Sequence, residues 1–204
     1  MGVFNPNLSE IVCIIDRSGS MDAIRSDAIG GFNSFITDQK AQPGQALLTL
    51  VLFDDEYDVI HDAVDLNAVP PLNELTYIPR GTTALLDAVG RTLDSVGKRL
   101  SETPEPERPA TVVVAILTDG MENASKQYTA RDVSQRIKHQ REAYDWRFVF
   151  LAAGQDAFKT AEQLSIDAED TTSFVASGDG VQKAYAAMSM SVADRRRPHG
   201  PSRS

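Results

Sequence analysis

The chain has 204 residues, 42% of them hydrophobic and 24% charged, and a formal net charge of −9. This is ordinary for a soluble globular protein, and the length supports one sizeable core, so a single domain is expected. Four of the 20 basic residues fall in the last ten, RRRPHGPSRS, which hold no acid; the rest carries 16 basic against 29 acidic side chains, a balance of −13 that repels phosphates and argues against nucleic-acid binding.

The stretch MGVFNPNLSE has neither the basic nor the apolar region of a secretory signal. No apolar run approaches the roughly 20 residues that span a bilayer. Cys13, the single cysteine, lies inside an apolar run and reads as a small core residue in a reducing compartment. These features predict a protein of a bacterial or other cytoplasm with no membrane partner, and a monomer is expected. Residues 1–8 read as a lead-in, 9–193 as the folded domain, and 194–204 as a basic, disordered tail.

Apolar periodicity sets the elements that follow. IVCIID (11–16) predicts a fully buried strand. Ile24, Ala28, Ile29, Phe32, Phe35 and Ile36 recur at helical spacing over 22–40, until QPG ends the helix. ALLTLVLF (46–53) predicts a second buried strand, and YDVIHDAV, which alternates, a half-buried strand paired antiparallel to it. Residues 65–82 hold three prolines and read as a loop. A helix over 84–100 and the polar connection SETPEPERP follow, then the buried strand TVVVAIL (111–117). Helix 130–144, strand WRFVFLA, helix DAFKTAEQL, strand TSFVA and helix GVQKAYAAMSMSV complete the chain. Strands alternating with helices predict an α/β, doubly wound, mainly parallel six-stranded sheet covered on both faces. Such sheets bind ligands beyond the carboxyl ends of the strands, where strand order reverses.

Three loops point there. DRSGS leaves the first strand, TDG leaves the third long one, and RGTTALLDAVG opens a helix. They offer the carboxylates of Asp16 and Asp119 and the hydroxyls of Ser18, Ser20 and Thr83. All are hard oxygen donors with no histidine or thiol among them, which selects Mg2+, Mn2+ or Ca2+ over zinc or copper. Few carboxylates among several neutral hydroxyls leave such an ion electrophilic toward an external anionic oxygen. Ser20 or Asp22 alone would read as a helix cap; it is the convergence of five donors that argues for a metal.

These residues resemble the von Willebrand factor A (vWA) domain family, whose pattern is D-x-S-x-S after strand one, a G-T-T or G-G-T loop, and TDG after a later strand. Asp16, Ser18 and Ser20 stand at the first motif, Thr83 at the family threonine before A-L-L-D-A, and Asp119 at the TDG aspartate. Because G-G-T is here Gly81-Thr82-Thr83, Thr82 is a weaker candidate. The match runs over roughly 9–193 and is similar to stand-alone bacterial A domains. It implies sheet order 3-2-1-4-5-6 with one short antiparallel strand, and an intact metal-ion-dependent adhesion site (MIDAS). It further implies a protein partner whose Glu or Asp carboxylate completes the coordination of Mg2+, Mn2+ or Ca2+. Ser18, Ser20 and Thr83 are expected to ligate directly, and the aspartates directly or through water.

The rival readings are a metal-dependent phosphoryl-transfer enzyme and a metal-independent scaffold. The enzyme would need a second carboxyl two residues after Asp16 as acid–base, and Ser18 stands there. No Walker-type GxxxxGK[ST] loop is present either, so no enzymatic activity is expected. The acidic run of Asp54, Asp55, Glu56 and Asp58 reads as a solvated hairpin. Glu122 and Asn123 flank the site loop, where they would orient ligands or form the turn. His61, His139 and His199 are mutually remote and read as surface residues, and Met188 and Met190 as core or edge packing.

Overall fold

A computed structural model describes residues 4–196. Its elements are β1 (Asn5–Asp16), α1 (Arg25–Lys40), β2 (Gln45–Phe53), β3 (Tyr57–Asp65), α2 (Leu85–Glu102), β4 (Pro109–Thr118), α3 (Ala130–Tyr144), β5 (Arg147–Ala153), α4 (Ala157–Gln163), β6 (Thr171–Phe174) and α5 (Gly178–Arg196). The six strands form one sheet in the order β3-β2-β1-β4-β5-β6. Only β3 runs antiparallel, against β2; β1 pairs in parallel with both β2 and β4, Ile14 lying opposite Val51 and Ile116. Strand order reverses between β1 and β4.

Alternation along β1 explains the two layers. Ile11, Cys13 and Ile15 point to one face and pack with Phe32 and Phe35 of α1 and Tyr185, Met188 and Val192 of α5. Val12 and Ile14 point to the other, against Val89 and Leu93 of α2 and Val133 and Ile137 of α3. With both faces covered, the central strands need apolar residues at every position, hence the unbroken runs in the sequence. Close approach of α1 and α5 depends on Gly31, where a Cβ would come within 2.4 Å of the Tyr185 ring. Burial also pushes the Cys13 thiol pKa up, so it stays protonated as a small core group.

Several boundaries differ from expectation. Strand β1 begins at Asn5, inside the expected lead-in, because the Asn5 amide donates to the Arg108 carbonyl at 2.8 Å. The helix expected from Asp22 opens as a 3-10 turn, Gly19–Ile24, before α1 starts at Arg25. Helix α5 runs through Asp194, Arg195 and Arg196, so these belong to the fold and not to a disordered tail. Arg196 is buried, donating to Ser9 Oγ (3.0 Å) and the Gln39 carbonyl (2.8 Å). The remainder of the expected tail, 197–204, including His199, lies outside the described residues. Met188 is core, but Met190 faces outward with 71% of its surface exposed.

Candidate metal centre

Asp16 is the last residue of β1 and is fully buried. Its Oδ1 accepts the Ser18 amide (2.6 Å) and its Oδ2 the Thr118 hydroxyl (2.5 Å). The carboxylate is thus met by an amide and a hydroxyl, not by a cation. From Ser18 the polar contacts run outward: Ser18 Oγ lies 3.2 Å from Ser20 Oγ, and Ser20 Oγ donates to Asp119 Oδ1 at 2.7 Å. Four of the five expected donors therefore form one hydrogen-bonded chain from the ends of β1 and β4.

Thr83 joins from the loop before α2. It is buried, and its hydroxyl sits against Gly120, where a Cβ would come within 2.8 Å of Thr83 Oγ1. Glycine next to Asp119 is what admits the threonine. Asn123 fastens the two loops, accepting the Thr83 amide at Oδ1 (3.0 Å) and donating its own amide to the Thr83 carbonyl (3.1 Å). Glu122 caps the start of α2 through the Leu86 amide (2.9 Å) and also accepts the Ser125 hydroxyl (2.8 Å). Both residues thus hold the loops in register. Thr82 is exposed and ties its amide to Asp55 Oδ1 at 3.2 Å.

The acidic turn is a hairpin whose Asp55, Glu56 and Asp58 reach the surface as expected, but Asp54 does not. Asp54 is fully buried and pairs with Arg17 (2.8 Å) and Arg80 (2.9 Å), two arginines carried by the site loops themselves. Arg17 also lies 2.7 Å from Asp58, and Arg80 pairs with Glu56. Backbone bonds follow the same route, from the Arg80 amide to the Arg17 carbonyl (2.9 Å) and from the Ala84 amide to the Asp54 carbonyl (2.9 Å). Gly81 completes the bend with φ +64°, its Cα facing the Asp55 carboxylate so closely that a Cβ would clash. Underneath, buried Tyr77 donates its hydroxyl to the Asp16 carbonyl at 2.6 Å. Sequence reasoning missed Arg17, Asp54, Tyr77 and Arg80. The available signal was an arginine within each site motif, DRSGS and RGTT, against an acidic DDE run that had no other partner.

The electrostatics follow from this division of charge. Burial raises the Asp16 pKa to about 6, against the lowering effect of its Thr118 and Ser18 hydrogen bonds, and the nearby Asp119 charge adds to the rise. Asp119 is shifted upward too, by burial, with the Ser20 hydroxyl opposing. The neighbouring arginines are committed to Asp54, so positive charge is what the site lacks. Two carboxylates with three hydroxyls and no nitrogen or sulfur fit a hard divalent cation. Among the described residues no cluster of three or more His, Cys, Asp or Glu side chains is placed to hold a metal, so this is a hydroxyl-rich donor set or none. A groove of about 780 Å³ opens beside Asp119 and runs past Gly154 and Phe174 to Val175 and Lys183.

No protein-family model and no curated protein sequence matches the chain. Solved structures do. Proximal thread matrix protein 1 from the mussel byssus, with a zinc-occupied MIDAS motif, is 17% identical over 95% of this chain and 48% of its own, with a TM-score of 0.62. The manganese-loaded TRAP protein of Plasmodium vivax is 19% identical over 90% of this chain and 73% of its own, with a TM-score of 0.62. A von Willebrand factor type A structure from Catenulispora acidiphila is 16% identical over 89% and 42%, with a TM-score of 0.56. The chain therefore spans about half the length of the mussel protein it matches.

Proposed function

We propose that this chain, which has the von Willebrand factor A fold, is a divalent-cation-dependent protein-interaction module. Asp16, Ser18, Ser20, Thr83 and Asp119 would hold the ion, and a Glu or Asp carboxylate of a protein partner would complete its shell. The observation that carries the reading is the pair of carboxylates at the strand-order reversal, bridged only by neutral groups, the Ser18 amide and the Ser18 and Ser20 hydroxyls, and left without a counter-charge. A cation supplies that charge and, neutralised by two acids at most, keeps affinity for a third. Mg2+ or Mn2+ is the expected resident ion, with Ca2+ the larger alternative. Supporting the reading, two neighbours of the same fold are described with divalent metal, zinc in one and manganese in the other. The open groove beside Asp119 leaves room for a partner segment.

The chain's own residues set the geometry. Thr118 and the Ser18 amide orient Asp16, Asn123 aligns the Thr83 and Asp119 loops, and the Arg17–Asp54–Arg80 knot anchors both serine and threonine loops. We expect no phosphoryl transfer, because the hydroxyl of Ser18 takes the place at which an acid–base carboxyl would be needed. The test is capture on an array of Glu- and Asp-containing peptides with their Gln and Asn counterparts, with Mn2+ and after EDTA. The expected result is binding to acidic peptides that vanishes with EDTA, returns with Mg2+ or Mn2+, and is absent from Ser18→Ala/Ser20→Ala. Metal-dependent turnover of a phosphomonoester, abolished by Asp16→Asn, would sink the proposal.

A further inference from the structure

We propose a second ligand site, for a small anion with a flat apolar body such as an aromatic carboxylate or sulfonate, at the end of the sheet opposite the metal centre. A cavity of about 400 Å³ lies where the starts of β1 and β4 meet the last turns of α2 and α3. That volume is within the range of sites that take drug-sized molecules, roughly 300–1,000 Å³. Its floor is apolar and aromatic: Leu93 and Leu100 of α2 and Val112 of β4, with Phe4 just before β1 and Trp146 just before β5, so most of the shape is set by core residues of a helix and a strand and not by one loop.

The polar rim points to the sign of the ligand. Lys98, Arg108 and His139 line it, with Asp94 as the single acid. Asp94 is already committed, paired with Arg136 Nε at 2.7 Å and accepting the Tyr128 hydroxyl at 2.9 Å. Arg108 spends its hydrogen bonds on neutral carbonyls, those of Thr103 (2.7 Å) and Ser101 (3.0 Å), so its charge is not cancelled there. Lys98 is exposed, and no acid among the described residues pairs with it. In a chain of net charge −9, a hollow with two uncancelled cations over an aromatic floor is an exception. Such a surface rewards a ligand that stacks its body on the exposed Tyr144 ring, over the nearly buried Trp146, and places an anionic group at Lys98 and Arg108. The site is independent of the metal reading: no residue of the cation centre lines it.

Trp146 is the only tryptophan of the chain and is nearly fully buried, so its emission reports the cavity directly. The experiment titrates the intact protein with anilinonaphthalene sulfonate and follows quenching of Trp146, then displaces the probe with phenylbutyrate. Saturable quenching is expected, with Lys98→Glu weakening it at least tenfold. Lys159→Glu, the same charge change on α4, should leave it within about twofold. Ala110→Phe fills the exposed mouth and should abolish binding; Ser101→Phe at the same rim repeats the test if the first variant does not fold. Phenylbutanol, lacking the charge, should displace the probe at least tenfold less well than phenylbutyrate. Absence of saturable quenching, equal loss in Lys98→Glu and Lys159→Glu, undiminished binding to both Phe variants, or equal displacement by the alcohol would each overturn the proposal.

Discussion

Strand β1 carries a buried carboxylate at each end of its apolar run, and the two are built in opposite ways. Glu10 and Asp16 are both fully buried and six positions apart, so they share a face of the sheet about 20 Å from one another. Glu10 meets Arg99 Nη2 at 2.5 Å and accepts the Thr49 hydroxyl at 2.8 Å, so its charge is closed off inside the fold. Asp16 meets an amide and a hydroxyl, with a second carboxylate, Asp119, close enough to add to its pKa rise. The first arrangement is a finished structural pair. The second holds negative charge in a dry place with nothing to balance it, which is costly unless something arrives to supply the balance. A strand end that is polar, converging and uncompensated is therefore informative where a buried carboxylate alone is not.

The comparison is most sharply broken by removing the partner that closes the Glu10 pair. Arg99→Ala should destabilise the fold by about 3 kcal/mol in urea unfolding, because it strands a buried carboxylate. The double change Glu10→Gln/Arg99→Met should recover most of that. A loss under about 1 kcal/mol in the single variant would show that Glu10 does not depend on Arg99.

At the other end the same logic inverts. Asp16→Asn should leave the metal-free melting temperature unchanged or raised, while lowering Mn2+ affinity at least 100-fold by calorimetry, about 3 kcal/mol. A destabilised apo protein with unaltered metal affinity would make Asp16 a second structural carboxylate.

Proton linkage sharpens the contrast. The folded-state Asp16 pKa of about 6 lies above the unfolded value near 3.9, so between these the folded chain binds more protons than the unfolded one. Metal-free stability should then fall as pH rises from about 4 to 6, by about 2–3 kcal/mol from this group, and Asp16→Asn should flatten that slope. Metal affinity should move the other way, rising with pH through the same window as the proton is displaced. Unfolding curves and metal titrations at three pH values, in parent and variant, check both signs.

The smallest effect concerns the loop that brings in Thr83. Gly81→Ala forces a side chain into φ +64° and against Asp55, and should cost about 1–2 kcal/mol with a measurable loss of metal affinity. A variant as stable as the parent would mean that the Asp55 carboxylate swings away freely.

The parallel sheet and the placing of the candidate loops at its strand ends were readable in the chain, while the strand order came with the resemblance to the vWA family. Unbroken runs such as TVVVAIL arise only where both faces of a strand are covered, and such strands must alternate with helices and end in loops on one side. Asp16, Ser18, Ser20 and Asp119 were legible because local spacing places them at strand ends, and Thr83 because the residues after it begin α2. Compensation of charge was not legible. Asp54 looked solvated within its acidic run, and its partners Arg17 and Arg80 come from 37 and 26 residues away. Arg196 looked like tail and is held by Ser9 and Gln39, 187 and 157 positions distant. Periodicity and motif spacing report what a residue does with its own element. Which buried charge is cancelled depends on side chains that only the closed tertiary structure brings together, and that difference separates Glu10 from Asp16 on a single strand.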